Sequence, residues 1–252
     1  MKYNYLAILV FLIVNIGFAQ PITVSTTQYT PEQLVTDILI NNPCANVSNI
    51  SWSTGTTHGV TNGTGIGYFE NTNPDFDMAA GVVLNTGNVN LCPGPSVGNQ
   101  NVGSFQGWPD DAELTTYLNG VITPSTYQNA TVLEFDFVPY TDAISFSFIF
   151  ASEEYGGAQC AFSDAFAFFL TNTVTNVTTN LALIPNTNLP ISVTTIRDNA
   201  NNAGCSSENE EYFDSFNVGT ASAINFRGQT VKMLAASEVV PFNTYHIKLV
   251  ID

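Results

Sequence analysis

The chain has 252 residues and carries 21 acidic against five basic side chains, for a net charge of −16. Nucleic acids and anionic lipid surfaces bind clustered Lys and Arg, so a composition this acidic excludes both as general partners. Only 10% of the residues are charged and 44% are hydrophobic, and the length fits one large all-β domain.

The N-terminus has the layout of a secretory signal peptide. Lys2 is followed by an apolar run over residues 6–14 and then by small and polar residues that end at Gln20. This run is too short to span a bilayer, and the order charged, apolar, small is the order of export signals. We therefore predict a signal peptide over 1–20 and an exported domain over 21–252, extracellular or on the cell surface. Membrane association is expected only through an anchor or sorting tail that follows the domain.

Two short helices are predicted from their capping residues. The first begins at Thr30, with Gln33 as the partner in a capping box. The second spans 110–118, with Asp110 as the cap and Glu113 as its partner. The region 50–130 is rich in Gly, Asn and Thr and is expected to form long ordered loops.

Elsewhere the hydrophobic pattern has the period of β-strands. Apolar and polar residues alternate over 133–137, 144–150 and 245–251, and shorter candidate strands cover 82–84, 166–170, 181–184, 191–196 and 230–234. Short strands between Asn, Gly and Pro turns, without a βαβ rhythm, predict an all-β, jelly-roll-like antiparallel sandwich with two short helices. The last strand pattern runs to Asp252, so we expect the domain to be truncated at its C-terminal end.

Four cysteines in an exported chain predict two disulfides, for which three pairings are possible. We favour Cys44 with Cys92 and Cys160 with Cys205, and each bridge would close a loop of nearly fifty residues. No Cys-x-x-Cys spacing occurs, so a structural zinc site is not expected.

Several blocks of the sequence resemble the choice-of-anchor L domain in order and spacing. They include GYFENTNPDFDMAAGVVLNTGNV (67–89), VLEFDFVPYTDAISFSFIFASEEY (132–155), SDAFAFFL (163–170) and TYHIKLVID (244–252). The resemblance covers nearly all of the chain after the signal peptide. It implies an exported bacterial protein, often from the Bacteroidetes, in which the domain precedes an interchangeable anchoring or sorting tail, including type IX secretion tails. It implies no activity.

The best candidate site is a group of carboxylates around a Gly-Gly bend. Glu153 and Glu154 follow one strand and Asp164 opens the next, so a hairpin would gather all three. Calcium takes six to eight oxygen ligands, which such loops supply, and a calcium site is one interpretation. In the other, Glu153 caps turn amides, Glu154 faces solvent and Asp164 accepts backbone N–H groups. Either way the carboxylates need a positive partner, from solvent or from the chain after residue 196, because no Lys or Arg lies between Lys2 and Arg197.

Catalysis is not predicted. Adjacent glutamates in a strand point to opposite faces, which does not suit a pair of glycosidase carboxyls. The two histidines, His58 and His246, are expected at the solvated surface.

Three aromatic residues beside loops are candidates for stacking on sugars, namely Trp108, Tyr140 and Tyr155. The sequence thus predicts a non-catalytic extracellular module for adhesion or display, with cell-surface glycans or proteins as partners. A calcium-dependent, lectin-like carbohydrate-binding domain is the alternative, and a glycan-active enzyme is the third hypothesis.

Overall fold

The structure is a computed structural model that describes residues 20–42, 45–54, 64–98, 108–119, 121–122 and 128–252. The predicted signal peptide therefore lies outside the described residues, except for Gln20. No helix in the described ranges has the length and apolar character needed to cross a membrane.

The described residues form fourteen strands, and neighbouring strands pair antiparallel. They are β1 (Thr23–Ser25), β2 (Asn46–Ser53), β3 (Ile66–Glu70), β4 (Ala80–Leu84), β5 (Thr131–Val138), β6 (Ala143–Phe148), β7 (Ala151–Ser152), β8 (Ala165–Asn172), β9 (Val177–Asn180), β10 (Ile191–Ser192), β11 (Phe213–Phe216), β12 (Gly228–Thr230), β13 (Met233–Glu238) and β14 (Tyr245–Ile251). The predicted all-β antiparallel sandwich is confirmed.

The first layer of the sandwich is a six-stranded sheet with β14 at its centre. Its order is β10-β8-β14-β5-β2, and β9 pairs with the part of β8 that β10 leaves free. Ile247 lies opposite Phe135 on one side and Leu170 on the other, and all three are buried in the main core. The alternation read from the sequence thus correctly gives the inner face of this sheet.

The second layer consists of smaller sheets, with the orders β1-β3-β4, β13-β6 and β11-β12-β7. Two aromatic contacts join it to the first layer. The rings of Phe146 and Phe168 have centroids 5.1 Å apart, and those of Phe148 and Phe166 are 5.4 Å apart. Aromatic pairs at such distances add about 0.5–1.5 kcal/mol each beyond the burial of their area, so they help to fix the spacing of the layers.

The first helix begins as predicted. Helix α1 (Pro31–Gln33) starts at Thr30, where both hydrogen bonds of the capping box are present. It continues as a π-helical segment, Leu34–Ile40, which buries Leu34 and Val35 in the main core. A cap and a short apolar face are therefore enough to seat this segment on the sandwich.

The second helix, α2 (Ala112–Leu118), differs from the prediction in its cap. Asp111, not Asp110, is the N-cap, and its Oδ1 accepts the amides of Glu113 and Leu114 at 3.1 and 2.9 Å. No capping box forms, because the third helical position is then Leu114, which has no polar side chain, and the Glu113 carboxylate lies 3.0 Å from Nζ of Lys248.

Helix α2 covers one end of the outer face of the six-stranded sheet. Leu114 and Leu118 are buried there against Phe169 and Val250, which point away from the main core. This small outer cluster explains why β8 is apolar on both of its faces.

Two of the short predicted strands are absent or shortened because side chains bond to the backbone. The segment 181–184 is not a strand, since Asn180 Oδ1 accepts the amides of Phe168 and Ala182, both at 3.0 Å, and ends β9. The segment 191–196 is a strand only at β10. Its continuation is a turn in which Ser192 N donates to Thr195 Oγ1 at 3.1 Å.

Two further boundaries differ from the sequence prediction. The segment 230–234 is divided between β12 and β13, which belong to different sheets. The region 50–130 contains β3 and β4 as well as loops, and the parts at 55–63, 99–107, 120 and 123–127 lie outside the described residues.

Candidate functional site

Glu153, Glu154 and Asp164 lie in the connection between β7 and β8. The predicted hairpin between these strands is wrong, because β7 pairs with β12. The connection is instead tied to a later loop by the disulfide Cys160–Cys205, which confirms that predicted pairing.

Ser152 joins the two ends of this connection. Its side chain is fully buried, and its Oγ donates to Asp164 Oδ2 at 2.5 Å and accepts the amide of Glu154 at 3.0 Å. Asp164 is thus brought beside β7 by one hydroxyl group rather than by strand pairing. The alternative in which Asp164 accepts backbone N–H groups is wrong, because the donor to its carboxylate is the Ser152 hydroxyl.

Glu153 is paired with Arg227. The distance from Arg227 Nε to Glu153 Oε2 is 3.8 Å, and the glutamate side chain is 19% exposed. The other oxygen, Oε1, is buried and has no hydrogen-bond partner among the described residues. Glu153 therefore does not cap turn amides, and the amide of Gly156 is satisfied by Gln159 Oε1 at 2.9 Å.

Burial dominates the ionisation of both glutamates. It raises the pKa of Glu153 to about 7, with Arg227 opposing the change and the charges of Asp164 and Glu154 adding to it. It likewise raises the pKa of Glu154 to about 7, with Asp164 adding to the change and Arg227 opposing it. Two carboxyl groups thus titrate near neutral pH. Structural clusters as well as catalytic sites produce such shifts, so the shifts alone do not indicate an enzyme.

Asp164 is affected in the same direction. Burial raises its pKa, and the hydrogen bond from Ser152 partly offsets this because it favours the charged form. Since Asp164 contributes to the raised pKa of both glutamates, the three carboxylates lie within reach of one another's charge.

The arrangement does not support the predicted calcium site. Within the described residues, no three His, Cys, Asp or Glu side chains are placed to hold a metal ion, and Glu153, Glu154 and Asp164 are among those residues. The positive partner of Glu153 is Arg227. Of the two expected sources, solvent and the chain after residue 196, it comes from the second.

Two further side chains, Gln159 and Asn202, hold the connection between β7 and β8 by hydrogen bonds that were not predicted from the sequence. Gln159 is 1% exposed and its Nε2 donates to the carbonyl of Asp198 at 2.8 Å, while Asn202 Nδ2 donates to the carbonyl of Gly156 at 2.9 Å. Gly156 has φ +84°, a conformation that glycine adopts without strain. The Gly-Gly pair indicated the bend, but no sequence signal links Gln159 or Asn202 to it.

Two of the three predicted sugar-stacking residues are buried. Trp108 is 6% exposed and Tyr155 is fully buried, with its ring centroid 4.9 Å from that of Phe213. Both predictions are wrong, since neither ring can reach a ligand in solution. Tyr155 packs inward because the chain turns beneath β12, where Gly228 leaves room for its ring.

Tyr140 is exposed and has an aromatic neighbour that the sequence analysis missed. The two side chains, Tyr140 and Phe242, are 51% and 72% exposed, and their ring centroids lie 5.9 Å apart in an edge-to-face arrangement. Phe242 has φ +68°, and its amide donates to the carbonyl of Pro139 at 2.9 Å. The β5–β6 and β13–β14 loops thus present an aromatic pair, which we call the aromatic tip.

The predicted disulfide between Cys44 and Cys92 is wrong, because Cys92 is not bonded to another cysteine. Cys92 is a free thiol with 1% exposure, packed with Ile22 and Phe69 in a second apolar cluster. Burial raises the pKa of this thiol, and the charge of Glu153 adds to the effect. Cys44 lies outside the described residues.

His246 belongs to a charged row on the outer face of the six-stranded sheet. Its Nδ1 lies 2.8 Å from Asp136 Oδ1 and its Nε2 lies 3.2 Å from Glu134 Oε2. Next along β14, Nζ of Lys248 lies 2.8 Å from Asp111 Oδ2. His246 is therefore not simply solvated, as predicted, but paired on both sides. His58 lies outside the described residues.

Comparison with known proteins gives one match. No curated protein sequence and no solved structure matches the chain. A family model does match, that of the Choice-of-anchor L domain, over residues 23–252. Since the match covers nearly the whole chain and agrees with the blocks quoted above, the protein belongs to the choice-of-anchor L domain family.

Proposed function

We propose that this protein is a non-catalytic adhesion module on the outside of a bacterial cell, and that it makes contact through the aromatic tip. The family is not an enzyme family, and it identifies the chain as a surface-associated module of an exported protein. Adhesion is the finer assignment, and the aromatic tip, Tyr140 with Phe242, is the observation that supports it.

The conformation of the aromatic tip is unfavourable in the free protein. An aromatic residue with positive φ is a rare backbone conformation, which costs on the order of 1–3 kcal/mol. At Phe242 this conformation directs a large apolar ring into water, where 72% of the residue is exposed. Burial in the free protein does not repay the cost, whereas contact with a partner would.

A sugar ring is the ligand that this tip fits best. Tyrosine and phenylalanine present flat apolar faces, and the tyrosine hydroxyl supplies a polar group beside them. The edge-to-face arrangement of the two rings at 5.9 Å forms a corner rather than a flat patch. Such a corner can hold one face of a pyranose and leave its hydroxyl groups in solvent. Cell-surface glycans are therefore the proposed partners.

A glycan array with the purified domain tests this proposal. We expect binding by the wild type, at least a tenfold loss in the double variant Tyr140→Ala/Phe242→Ala, and no loss in Phe162→Ala. Phe162 is the matched control, because it is an exposed aromatic residue, at 62%, outside the tip. Glycan binding that survives the double variant, or no glycan binding at all, would contradict the proposal and leave display as the role of the module.

The same array separates the alternative of calcium-dependent carbohydrate binding. It is run once with millimolar calcium and once with a chelator. Because Glu153 is paired with Arg227 and Asp164 with Ser152, we expect identical binding in both conditions. Binding that requires calcium would favour the lectin-like alternative.

A further inference from the structure

A groove opens in the second layer of the sandwich, between β4 and β6. Within the described part of the chain, β4 pairs only with β3, and β6 pairs only with β13, so each strand has one edge without a partner strand. The groove is lined by consecutive residues of both strands, 82–84 and 146–148. Consecutive residues point to opposite faces of a strand, so contact with all of them places the strand edges along the groove.

The floor of this groove is the inner face of the six-stranded sheet. Four apolar side chains of β8 and β14 line it, namely Phe166, Phe168, Leu249 and Ile251. The space measures about 190 Å³, which is larger than the cavity of about 150 Å³ that is known to admit benzene.

The core is incompletely closed along the groove. Inward-facing residues of a sandwich are normally buried, but six of those around the groove are only partly buried, namely Val82, Leu84, Phe146, Phe148, Phe166 and Ile251. Removing apolar surface from water releases free energy in proportion to the area that is removed. An apolar occupant would therefore gain part of that free energy at several side chains at once.

Neither strand carries the side chains that usually protect a free edge, although the π-helical segment Leu34–Ile40 contacts β4 and its Leu39 lines the groove. Natural edge strands carry charges, prolines or bulges that block pairing with another chain. β4 reads AGVVL and β6 reads AISFSF, and neither contains a charged residue or a proline. The edges of β4 and β6 that do not pair with β3 and β13 adjoin a groove about three residues long, which corresponds to roughly 10 Å of extended chain.

The lining of the groove includes one acidic side chain, Asp164. Asp164 is the one charged side chain among the described residues that line it, and Glu153 and Glu154 lie within reach of its charge. Burial raises the pKa of Asp164 because water solvates its negative charge poorly there, and only the Ser152 hydrogen bond opposes this. A cation that enters the groove would be attracted to this carboxylate, whereas an anion would be repelled.

We propose that the groove between β4 and β6 binds an extended segment of a partner polypeptide, with alternating apolar side chains and a Lys or Arg that meets Asp164. The backbone of the segment pairs with the free edge of β4 or β6 and completes the second layer by strand addition. Its apolar side chains cover the exposed parts of Phe166 and Ile251. The proposal does not depend on the aromatic tip.

Fluorescently labelled hexapeptides test the proposal by anisotropy. VTVTVK, LTLTLK and FTFTFK carry the expected alternation and a terminal lysine. We expect saturable binding of at least one of them to the full chain. Its counterpart ending in glutamate and its counterpart with N-methylated backbone amides should bind at least tenfold more weakly. The first counterpart tests the charge, and the second tests the pairing of the strands.

Variants then locate the binding in the groove. Val82→Trp fills the groove and should weaken binding at least tenfold, whereas Val177→Trp should not, because Val177 is 59% exposed on β9 and does not line it. Asp164→Asn should reduce the preference for lysine over glutamate. If Asp164→Asn does not fold, the charge-reversed peptides still test the same point on the wild type.

Three outcomes would overturn the proposal. They are no saturable binding by any of the three peptides, equal binding of the N-methylated peptides, and equal loss of binding in Val82→Trp and Val177→Trp. If the dye ANS binds and no peptide displaces it, the groove takes small apolar molecules, and the peptide proposal is wrong.

Discussion

Glu153 and Glu154 make the stability of the fold depend on pH near neutrality. In the unfolded chain their ordinary pKa is 4.5, and in the fold it rises to about 7 for both. Between these pH values the unfolded chain releases protons that the folded chain keeps. The folded state binds more protons there, so its stability falls as the pH rises from about 4.5 to about 7.

Removing one of these charges should therefore stabilise the protein at high pH. A full shift of one pKa unit corresponds to about 1.36 kcal/mol. Because Glu154 is only partly buried and shares the shift with its neighbours, we expect Glu154→Gln to raise the free energy of unfolding by about 1–2 kcal/mol at pH 8 and to leave it unchanged at pH 4. Urea denaturation at the two pH values measures this.

The matched control for that substitution is Glu238→Gln. Glu238 is exposed at the end of β13, so the same change there should have little effect at either pH. If Glu154→Gln is no more stable than the wild type at pH 8, or if the two variants behave alike, neither burial nor the neighbouring charge of Asp164 destabilises the ionised Glu154 in the fold.

Only the local part of this site could be predicted from the sequence. Two adjacent glutamates and a Gly-Gly bend are visible as a local pattern, and so is the need for a positive partner. The partner itself, Arg227, follows Glu153 by more than seventy positions, and only the pairing of β7 with β12 brings it close. The role of Ser152 could not be recognised either, because it depends on the path of the chain that brings Asp164 back beside β7.

At the scale of elements, β14 organises the six-stranded sheet and its charged outer row. Tyr245, Ile247 and Leu249 face the core, while His246 and Lys248 face outwards between carboxylates of β5 and α2. The alternation of β14 and β5 is why these two strands were predicted well, whereas β8 is apolar on both of its faces.

The short strands were predicted less well for a local reason. Asn180 and Ser192 use their side chains to bond nearby backbone groups, which ends β9 and β10. The buried residues that follow, such as Ala182 and Ile196, still enter the core, so the apolar pattern continues after the strand has stopped. Hydrophobic period alone therefore overestimates the length of such strands.

The outer row of β14 should stabilise the sheet at acidic pH. The hydrogen bond to Glu134 raises the pKa of His246, with Asp136 adding to the effect and burial opposing it. The contribution is fully present below the unfolded pKa of about 6.5 and is lost as the pH rises through the higher folded value. The His246 side chain is 35% exposed, so solvent screening limits the contribution to less than about 1 kcal/mol.

We therefore expect His246→Gln to lower the free energy of unfolding at pH 5.5 by up to about 1 kcal/mol and to have a smaller effect at pH 9. Urea denaturation at the two pH values, in low salt, checks this. Because the effect is electrostatic, added salt should reduce the difference at pH 5.5. A loss of equal size at both pH values would mean that His246 contributes through packing alone.

At the scale of the whole molecule, the second layer is the less regular half of the sandwich. One continuous sheet forms the first layer, whereas the second is divided into small sheets, and the groove between β4 and β6 is one of the divisions. Strand periodicity predicts that two layers exist but carries no information on which edges pair. The division could not be predicted from the sequence for that reason.

The disulfide Cys160–Cys205 compensates for weak local structure at one end of the molecule. It has a sequence separation of 45 and ties the connection after β7 to a loop that otherwise relies on turns and side-chain bonds. For a closed loop of this length the chain-entropy model gives a stabilisation of about 4 kcal/mol, and native bridges contribute about 2–5 kcal/mol.

We expect Cys160→Ser to lower the free energy of unfolding by about 2–5 kcal/mol, and a reducing agent to have the same effect on the wild type but none on the variant. Denaturation curves with and without dithiothreitol measure both effects. Cys92→Ala is the matched control, because Cys92 is a buried free thiol whose loss leaves a small cavity and does not change the response to the reductant. If the wild type is equally stable with and without the reductant, the bridge does not stabilise the fold, and the side-chain bonds of Gln159 and Asn202 hold this connection by themselves.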